Sequence, residues 1–383
     1  MISNRFFAYF LVVYVTICSV YYIQRTSPYE LQYYRWRSRP NDSILILDTA
    51  KDPDPNYVFS ACPEFKAWCQ LTKDPRDHYV ADAVLFHARS FKISSYPRRS
   101  EQVYVWITME SPIHETINIP ELCSDYINWT MTYRTESDVW DPYGQLAPIE
   151  ATEVDLEAIW NKKVEMAAWL GSNCVTDNRR IEMIKLIRDK GLELKIWGEC
   201  GEPLPSCGRY SETGDCRVEA LLPYKFYMAL ENSNCPDYVT EKLWNSLQSY
   251  MAVPIVIKRG YYKNYGIPDS AYIALDDYQT VEELVDHLKR VSNNKTEYLG
   301  YHRWRQNYRV VSAARNIYYC ELCRHLRSRD EPPKSYEDLS KWFSPSQCDD
   351  HLLDKFLGPR TLIDRLGCSV RSVFRPDIHW NCS

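Results

Sequence analysis

The stretch YKFYMALENSNCPDYVTEKLWNSLQSYMAVPIVI, Tyr224 to Ile257, reads in order as a strand, a polar loop, a helix start and a second strand. The apolar and aromatic run Phe226 to Leu230 predicts one buried strand, and Val253 to Ile257 predicts the next. Between them Thr240 suits an N-cap, Glu241 and Lys242 fall in the first turn, and Leu243, Trp244, Leu247 and Met251 recur at helical spacing. Strand, crossover helix and strand are the unit of an α/β fold with a parallel sheet. A helix start presents unpaired N–H groups and a partial positive charge, so an anionic diphosphate can dock there with Lys242 as an added point charge. Glu231 and Glu241 flank the same loop, and a carboxylate beside a phosphate site needs a positive neighbour. An isolated Thr-Glu-Lys triplet would only complement the helix dipole; the longer block gives it more weight.

Working outward, 383 residues with 45% hydrophobic content can bury two domains' worth of core. A formal net charge of −5 without a dense Lys/Arg run lacks the electrostatic footprint of a nucleic-acid binder. Residues 6–23 form an uncharged apolar run close to the shortest length that spans a bilayer, which reads as a transmembrane signal anchor after a five-residue tail, 1–5. A cleaved signal peptide is the rival reading, since Thr16 and Cys18 are small enough for a cleavage site. Arg25, Arg35, Arg37 and Arg39 follow the run and only Arg5 precedes it, so charge does not set the orientation.

Fourteen Cys, of which only Cys18 lies in the anchor, fit an oxidising compartment. Asn41, Asn128, Asn294 and Asn381 each begin a sequon for N-glycosylation. Residues 24–43 lack either periodicity and read as a stem. Ile44 to Leu47, Ala83 to Phe86 and Val103 to Ile107 predict strands of a first α/β domain, 44–160. An acidic stretch near Ile149 to Asn161 marks the boundary. A second α/β domain, 161–348, then alternates through Met166 to Leu170, Ile181 to Lys190, Leu194 to Trp197, Phe226 to Leu230, the Glu241 helix and Val281 to Val291, leaving 349–383 as a C-terminal extension. Neither a GxGxxG nor a P-loop is present, and ligands of such sheets sit beyond the carboxyl ends of the strands, near Gly198, the Glu231 to Tyr238 loop and Thr240.

ENSNCPDYVTEKLWNSL followed by VPIVI resembles the donor-binding signature of the α1,3-fucosyltransferases, glycosyltransferase family 10. The resemblance extends to WITMESP at Trp106 to Pro112, INWTMTYRTESDVWDPYG at Ile127 to Gly144, and AAWLGSNC with Arg180 beyond it. It implies a GT-B fold of two Rossmann-like domains facing a cleft behind the N-terminal transmembrane helix, in a type II Golgi membrane protein. The implied reaction moves L-fucose from GDP-fucose, with inversion, onto GlcNAc of glycoprotein glycans. Leu230, where the family usually has Phe, and Met251-Ala252, where Gly is common, are mild departures. Acceptor choice between the innermost GlcNAc of N-glycans and outer LacNAc or LacdiNAc units is not legible. Two other classes fit the same features: a lumenal glycan-binding relative without turnover, and a GT-B transferase with another sugar nucleotide.

Inverting displacement needs a base opposite the phosphate site. Glu110, at the end of the strand run before Ser111-Pro112, is the candidate through the W-x-x-x-E-S-P resemblance, with His114 as a lesser rival expected at the surface or on the acceptor. Arg180, eight residues beyond Ser172, takes the family's diphosphate arginine position, with Arg179 as its neighbour and rival. Asn232 and Tyr238 match donor-contact positions, Glu241 would hold fucose hydroxyls and the charge developing at the ring, and Lys242 with Arg180 would neutralise the leaving GDP. No metal ligand set or cofactor is expected, although Mn2+ or Mg2+ can help a diphosphate leave without a dedicated site. Cys320 and Cys323 form a C-x-x-C without the second pair a zinc site needs. The resemblance instead staples Cys62 and Cys69 to this late pair, and leaves Cys200, Cys207 and Cys216 to clamp a local loop.

Overall fold

The computed structural model describes residues 43–48, 50, 58–60, 62–90, 98–115, 124–204, 215–312, 317–328 and 334–360. Residues 6–23, Asn41, Asn381 and Cys207, which carried the anchor, two sequons and one disulfide expectation, lie outside these. The described residues fall into two compact units, one within Met1–Ile107, Asp125–Trp129 and Asn316–Tyr336, the other within Thr108–Ser124, Thr130–Arg315 and Glu337–Ser383.

The first unit is built on parallel strands β1 (Ile44–Asp48), β2 (Cys69–Thr72), β3 (Ala83–His87) and β4 (Val103–Thr108) in the order β2-β1-β3-β4. Ile46, Val84, Leu85, Val105 and Trp106 are buried, as near-continuous apolar runs of parallel strands require. The helix Ile317–Ser328 also belongs to this unit and is bonded to it by Cys62–Cys320 and Cys69–Cys323. Its Tyr319 hydroxyl donates to the fully buried Asp48, whose other oxygen lies 3.0 Å from His87 Nε2. Burial pushes the Asp48 carboxyl up, but His87 and the Tyr319 hydrogen bond outweigh it and hold it below its ordinary value.

The second unit carries β5 (Trp129–Thr132) from Thr130 onward, paired in parallel with β6 (Val139–Trp140), and an antiparallel pair of β7 (Gly144–Pro148) with β13 (Tyr308–Ser312). Its main sheet has five parallel strands, β8 (Glu165–Leu170), β9 (Leu194–Trp197), β10 (Tyr224–Met228), β11 (Val253–Val256) and β12 (Ile273–Ala274), in the order β12-β11-β10-β8-β9. Side chains alternate between its faces. Ala167, Trp169, Phe226, Met228 and Ile255 pack with α1 (Arg180–Asp189) and α3 (Val281–Asn293). Ala168, Tyr227 and Val256 pack instead with Leu243, Trp244 and Leu247 of α2 (Glu241–Gln248). The sheet is therefore buried on both sides by crossover helices, and each large side chain removed from water contributes roughly 1.5–3 kcal/mol.

α3 begins with a capping box, in which Thr280 accepts from the Glu283 N–H and Glu283 accepts from the Thr280 N–H. α2 has its N-cap at Thr240, but the Thr240 side chain caps no helical N–H. Its hydroxyl is engaged elsewhere, at the site below.

Candidate functional site

At the carboxyl ends of β8, β9 and β10 lies a cavity of about 590 Å³, lined among others by Gly171, Arg180, Gly198, Asn232, Lys242 and Tyr250. Two glycines let the loops after β8 and β9 approach closely. Gly198 has φ +88°, and a Cβ there would sit 2.6 Å from the Gly171 carbonyl. A Cβ on Gly171 would meet the Trp169 ring at 2.4 Å. Cys174–Cys200 then bonds these two loops together. This corrects the expectation for Cys200, which joins no local clamp with Cys207 and Cys216 but reaches across to Cys174. Cys216 is also disulfide-bonded.

Arg180 opens α1 and is 3% exposed. It donates from Nη1 to the Leu230 carbonyl at 2.9 Å and from Nη2 to the Asn173 carbonyl at 3.0 Å, while its Nε is buried without a partner. Its guanidinium lies 5.5 Å from the Trp169 ring centroid. Burial pulls its pKa down and Glu231 opposes that shift, yet no carboxylate forms an ion pair with it among the described residues. A buried guanidinium held by two carbonyls on a cavity wall is a ready partner for an anion. Arg179 is different: left-handed at φ 58°, it pairs with Asp354 at 3.0 Å and donates to the Gly358 carbonyl.

The loop from β10 to α2 carries the remaining candidates. Glu231 is 4% exposed and accepts both the Thr240 N–H at 2.8 Å and the Thr240 hydroxyl at 2.7 Å, which explains why that hydroxyl does not cap the helix. Lys242 Nζ lies 3.0 Å from Glu231 Oε2 and 3.0 Å from Glu241 Oε1. Burial pulls Lys242 down, but the two carboxylates prevail and keep it charged. Burial pushes the Glu231 carboxyl up against the opposing Lys242 charge. Glu241, with a half-exposed side chain, feels burial pushing it up, but Lys242 holds it below its ordinary value. Lys242 and Glu241 both line the cavity. A further cation there, the exposed Arg217 of the helix Asp215–Leu221, has no sequence signal beyond its charge.

Glu110 follows β4. Its Oε1 accepts the Tyr238 hydroxyl at 2.5 Å and, more weakly, the Asn232 amide at 3.4 Å. Burial first, and then the Glu110 charge, push the Tyr238 phenol well above its ordinary value, so it stays a donor. Ser111 and Ser233 share a hydrogen bond at 2.7 Å beside this contact, and Tyr143 donates its hydroxyl to the Met109 carbonyl. Asn232 thus links the two parts, lining the cavity and reaching Glu110. His114 departs from expectation: it is buried rather than at the surface, with Nε2 3.4 Å from the Asn232 carbonyl, and burial lowers its pKa.

Of the sequons described, Asn294 is exposed and its Oδ1 accepts the Glu297 N–H at the start of the helix Lys295–Gly300. Asn128 accepts the Tyr104 N–H at 2.8 Å and donates to the Lys334 carbonyl at 2.8 Å, which still leaves its amide one hydrogen.

A doubly wound sheet with an anion-seeking arginine on a cavity beyond its strand ends, beside a carboxylate oriented by a phenol and an amide, defines a nucleotide-dependent group-transfer enzyme of α/β class. The fucosyltransferase N-terminal model matches residues 39–144, and the model for the C-terminal part of glycosyltransferase family 10 (fucosyltransferase) matches residues 160–342. The alpha-(1,3)-fucosyltransferase fut-6 of Caenorhabditis elegans is 43% identical over 84% of this chain and 91% of its own length. The alpha-(1,3)-fucosyltransferase fut-5 of the same organism is 38% identical over 80% of this chain and 83% of its own. The human 4-galactosyl-N-acetylglucosaminide 3-alpha-L-fucosyltransferase FUT6 is 32% identical over 72% and 75%. The chain belongs to the α1,3-fucosyltransferase family, glycosyltransferase family 10.

Proposed function

We propose that the chain transfers L-fucose from GDP-β-L-fucose, in α1,3 linkage and with inversion, to a GlcNAc residue of glycoprotein glycans, as a GT-B enzyme. It acts as a single-pass type II protein of the Golgi cisterna membrane with its catalytic part in the lumen. The observation that carries the reading is Arg180: a buried guanidinium with no carboxylate ion pair among the described residues, facing a cavity at the strand ends, calls for a phosphate. The names of the relatives supply the sugar.

In this mechanism Glu110 takes the proton of the acceptor hydroxyl as its oxygen attacks the anomeric carbon. The bond from that carbon to the β-phosphate oxygen breaks, and its electron pair leaves with GDP. Arg180 and Lys242 stabilise the charge gathering on the diphosphate, and Glu241 holds fucose hydroxyls and the positive charge developing at the ring. Asn232 and Tyr238 hold Glu110 in place through the bonds to its Oε1. Cations of the protein suffice for the leaving group, so turnover persists in EDTA while Mn2+ or Mg2+ can stimulate it.

The test is transfer of labelled sugar by the purified chain from GDP-fucose and competing nucleotide sugars to N-glycans, LacNAc and LacdiNAc oligosaccharides. Fucose on one acceptor class supports the proposal and fixes the substrate. Transfer from another donor would replace it with a different GT-B activity, and GDP binding without turnover on any acceptor would replace it with a glycan-binding relative.

A further inference from the structure

The loop that carries Asn232 and Tyr238 does not hold its shape alone. Asp237 within it sits at φ 60°, in the left-handed region that is strained for a side-chain-bearing residue. The loop is braced instead by a segment remote in sequence. Cys235 is bonded to Cys348 across 113 positions, the Asp349 N–H donates to the Asn234 carbonyl at 2.8 Å, and the Asn234 N–H donates to Asp350 at 3.3 Å. The body of the unit adds further braces, among them bonds from Thr135 and Asn264 to the Asp237 carboxylate and from the Tyr265 hydroxyl to the Asp237 carbonyl. The Asn178 amide donates to the Glu231 carbonyl and to Asn234 Oδ1, each at 2.9 Å, and the Tyr261 hydroxyl donates to the Asn234 carbonyl at 3.1 Å. Cys235 stands three residues from each of the two side chains that bond Glu110, and is 2% exposed.

We propose that Cys235–Cys348 is a positioning bond for the transfer reaction: it fixes the loop in the geometry at which Asn232 and Tyr238 orient the Glu110 carboxylate. This rests on the function proposed above. The second bond of this unit that touches the site, Cys174–Cys200, ties the loops after β8 and β9 that flank Arg180, so it bears on the donor cavity. The two bonds therefore divide between them the two halves of a kinetic measurement: Cys235–Cys348 acts on kcat, and Cys174–Cys200 on donor affinity. Misplacement of a base by about 1 Å can cost two orders of magnitude in rate, while leaving binding of GDP alone untouched.

The experiment uses the full chain, solubilised from cells that oxidise its cysteines, with GDP affinity, melting midpoint, kcat and KM measured for wild type, Cys235→Ser/Cys348→Ser and Cys174→Ser/Cys200→Ser. The first double variant is expected to lose about tenfold or more in kcat with its Kd for GDP within roughly threefold of wild type. The second is expected to show the reverse, a weakened Kd with kcat less affected. Tyr261→Phe removes one brace from the same loop with little risk to folding, and should lower kcat about two- to fivefold at unchanged GDP affinity. An unchanged kcat in Cys235→Ser/Cys348→Ser overturns the proposal, as does loss of kcat only in step with GDP affinity. Should that variant fail to fold, an unchanged kcat in Tyr261→Phe overturns it. Absence of transfer by the wild type would overturn the functional reading first, and is told apart because no variant comparison is involved.

Discussion

The Glu231 carboxylate and the Lys242 ammonium lie 3.0 Å apart, their side chains 5% and 18% exposed, so the lysine in the first turn of α2 is already half of an ion pair. Arg180, on the wall of the same cavity, has carbonyl partners and no carboxylate ion pair among the described residues. The two cations are therefore not equivalent. On the function proposed above, Arg180 is the charge that an incoming diphosphate would meet, whereas Lys242 would be divided between the ligand and the loop that holds it.

Arg180→Ala should weaken GDP binding by about 10- to 100-fold, the worth of one or two charge-assisted hydrogen bonds. Arg180→Lys should recover only part of this, because a point charge cannot reproduce the planar fork. Arg179→Ala, which breaks the pair with Asp354, should leave GDP affinity within about twofold and cost stability instead. Calorimetric titration with GDP reads all three, and equal losses for Arg179 and Arg180 would end the distinction.

Lys242→Met removes the cation ion-paired with Glu231 among the described residues and leaves that carboxylate buried, at a cost on the order of 3 kcal/mol. The sign with pH follows from the carboxyl. Burial already raises Glu231 above 4.5, and losing the lysine raises it further. The folded variant then binds a proton more tightly than the unfolded chain, so its stability deficit is smallest below about pH 4.5 and widens as pH rises through the folded value. Denaturant midpoints of wild type and variant at pH 4.5 and 7.5 check this, and a deficit independent of pH would mean that Glu231 carries no charge of consequence.

The order of elements was legible because periodicity is local. Strands anticipated at Ile44, Ala83, Val103, Met166, Leu194, Phe226 and Val253 are present with ends shifted by at most two residues, and Thr240 does precede the helix. The relationships formed at a distance were not legible. Nothing near Thr240 says that its hydroxyl turns to Glu231, nine positions back, or that Cys200 bonds Cys174. The β7 and β13 strands lie more than 150 residues apart, and β7 borders a stretch whose acidic composition reads as a boundary. The helix Ile317–Ser328 joins the first unit through two disulfides, which a reading that cuts the chain in linear order cannot place. Site residues were legible only as residue types at positions; that Arg180 faces the cavity while Arg179 pairs with Asp354 goes with the left-handed backbone of Arg179 just ahead of α1.

Glu110→Gln should lower kcat by about 100-fold or more while GDP affinity stays close to wild type, since the amide cannot take the acceptor proton. Tyr238→Phe removes the 2.5 Å bond to Glu110 without touching the carboxylate, and its loss in kcat should be smaller, about 5- to 30-fold. Steady-state kinetics on the acceptor found by the donor panel decides between them. Full turnover by Glu110→Gln would remove it as the base, and a larger loss from Tyr238→Phe than from Glu110→Gln would make the phenol the group in contact with the reaction.

Asp141, just after β6, is 4% exposed, its N–H bonds the Thr132 carbonyl at 2.9 Å, and its carboxyl has no hydrogen-bond partner among the described residues. Burial pushes it up to about 7 from 3.8. Between those values the folded chain holds a proton that the unfolded chain releases, so stability attributable to this group is greatest below 3.8 and is lost as pH rises to about 7, then stays level. Asp141→Asn keeps the shape without the ionisation and should gain on wild type across that window, by a few kcal/mol at most, on the order of 2, since each pK unit corresponds to about 1.4 kcal/mol and relaxation takes part of it. Guanidinium unfolding of both proteins at pH 4.5 and 8 gives the comparison. Parallel stability curves would mean that Asp141 ionises in place at little cost, with water or a shift of the β6 end supplying the solvation that the buried position withholds.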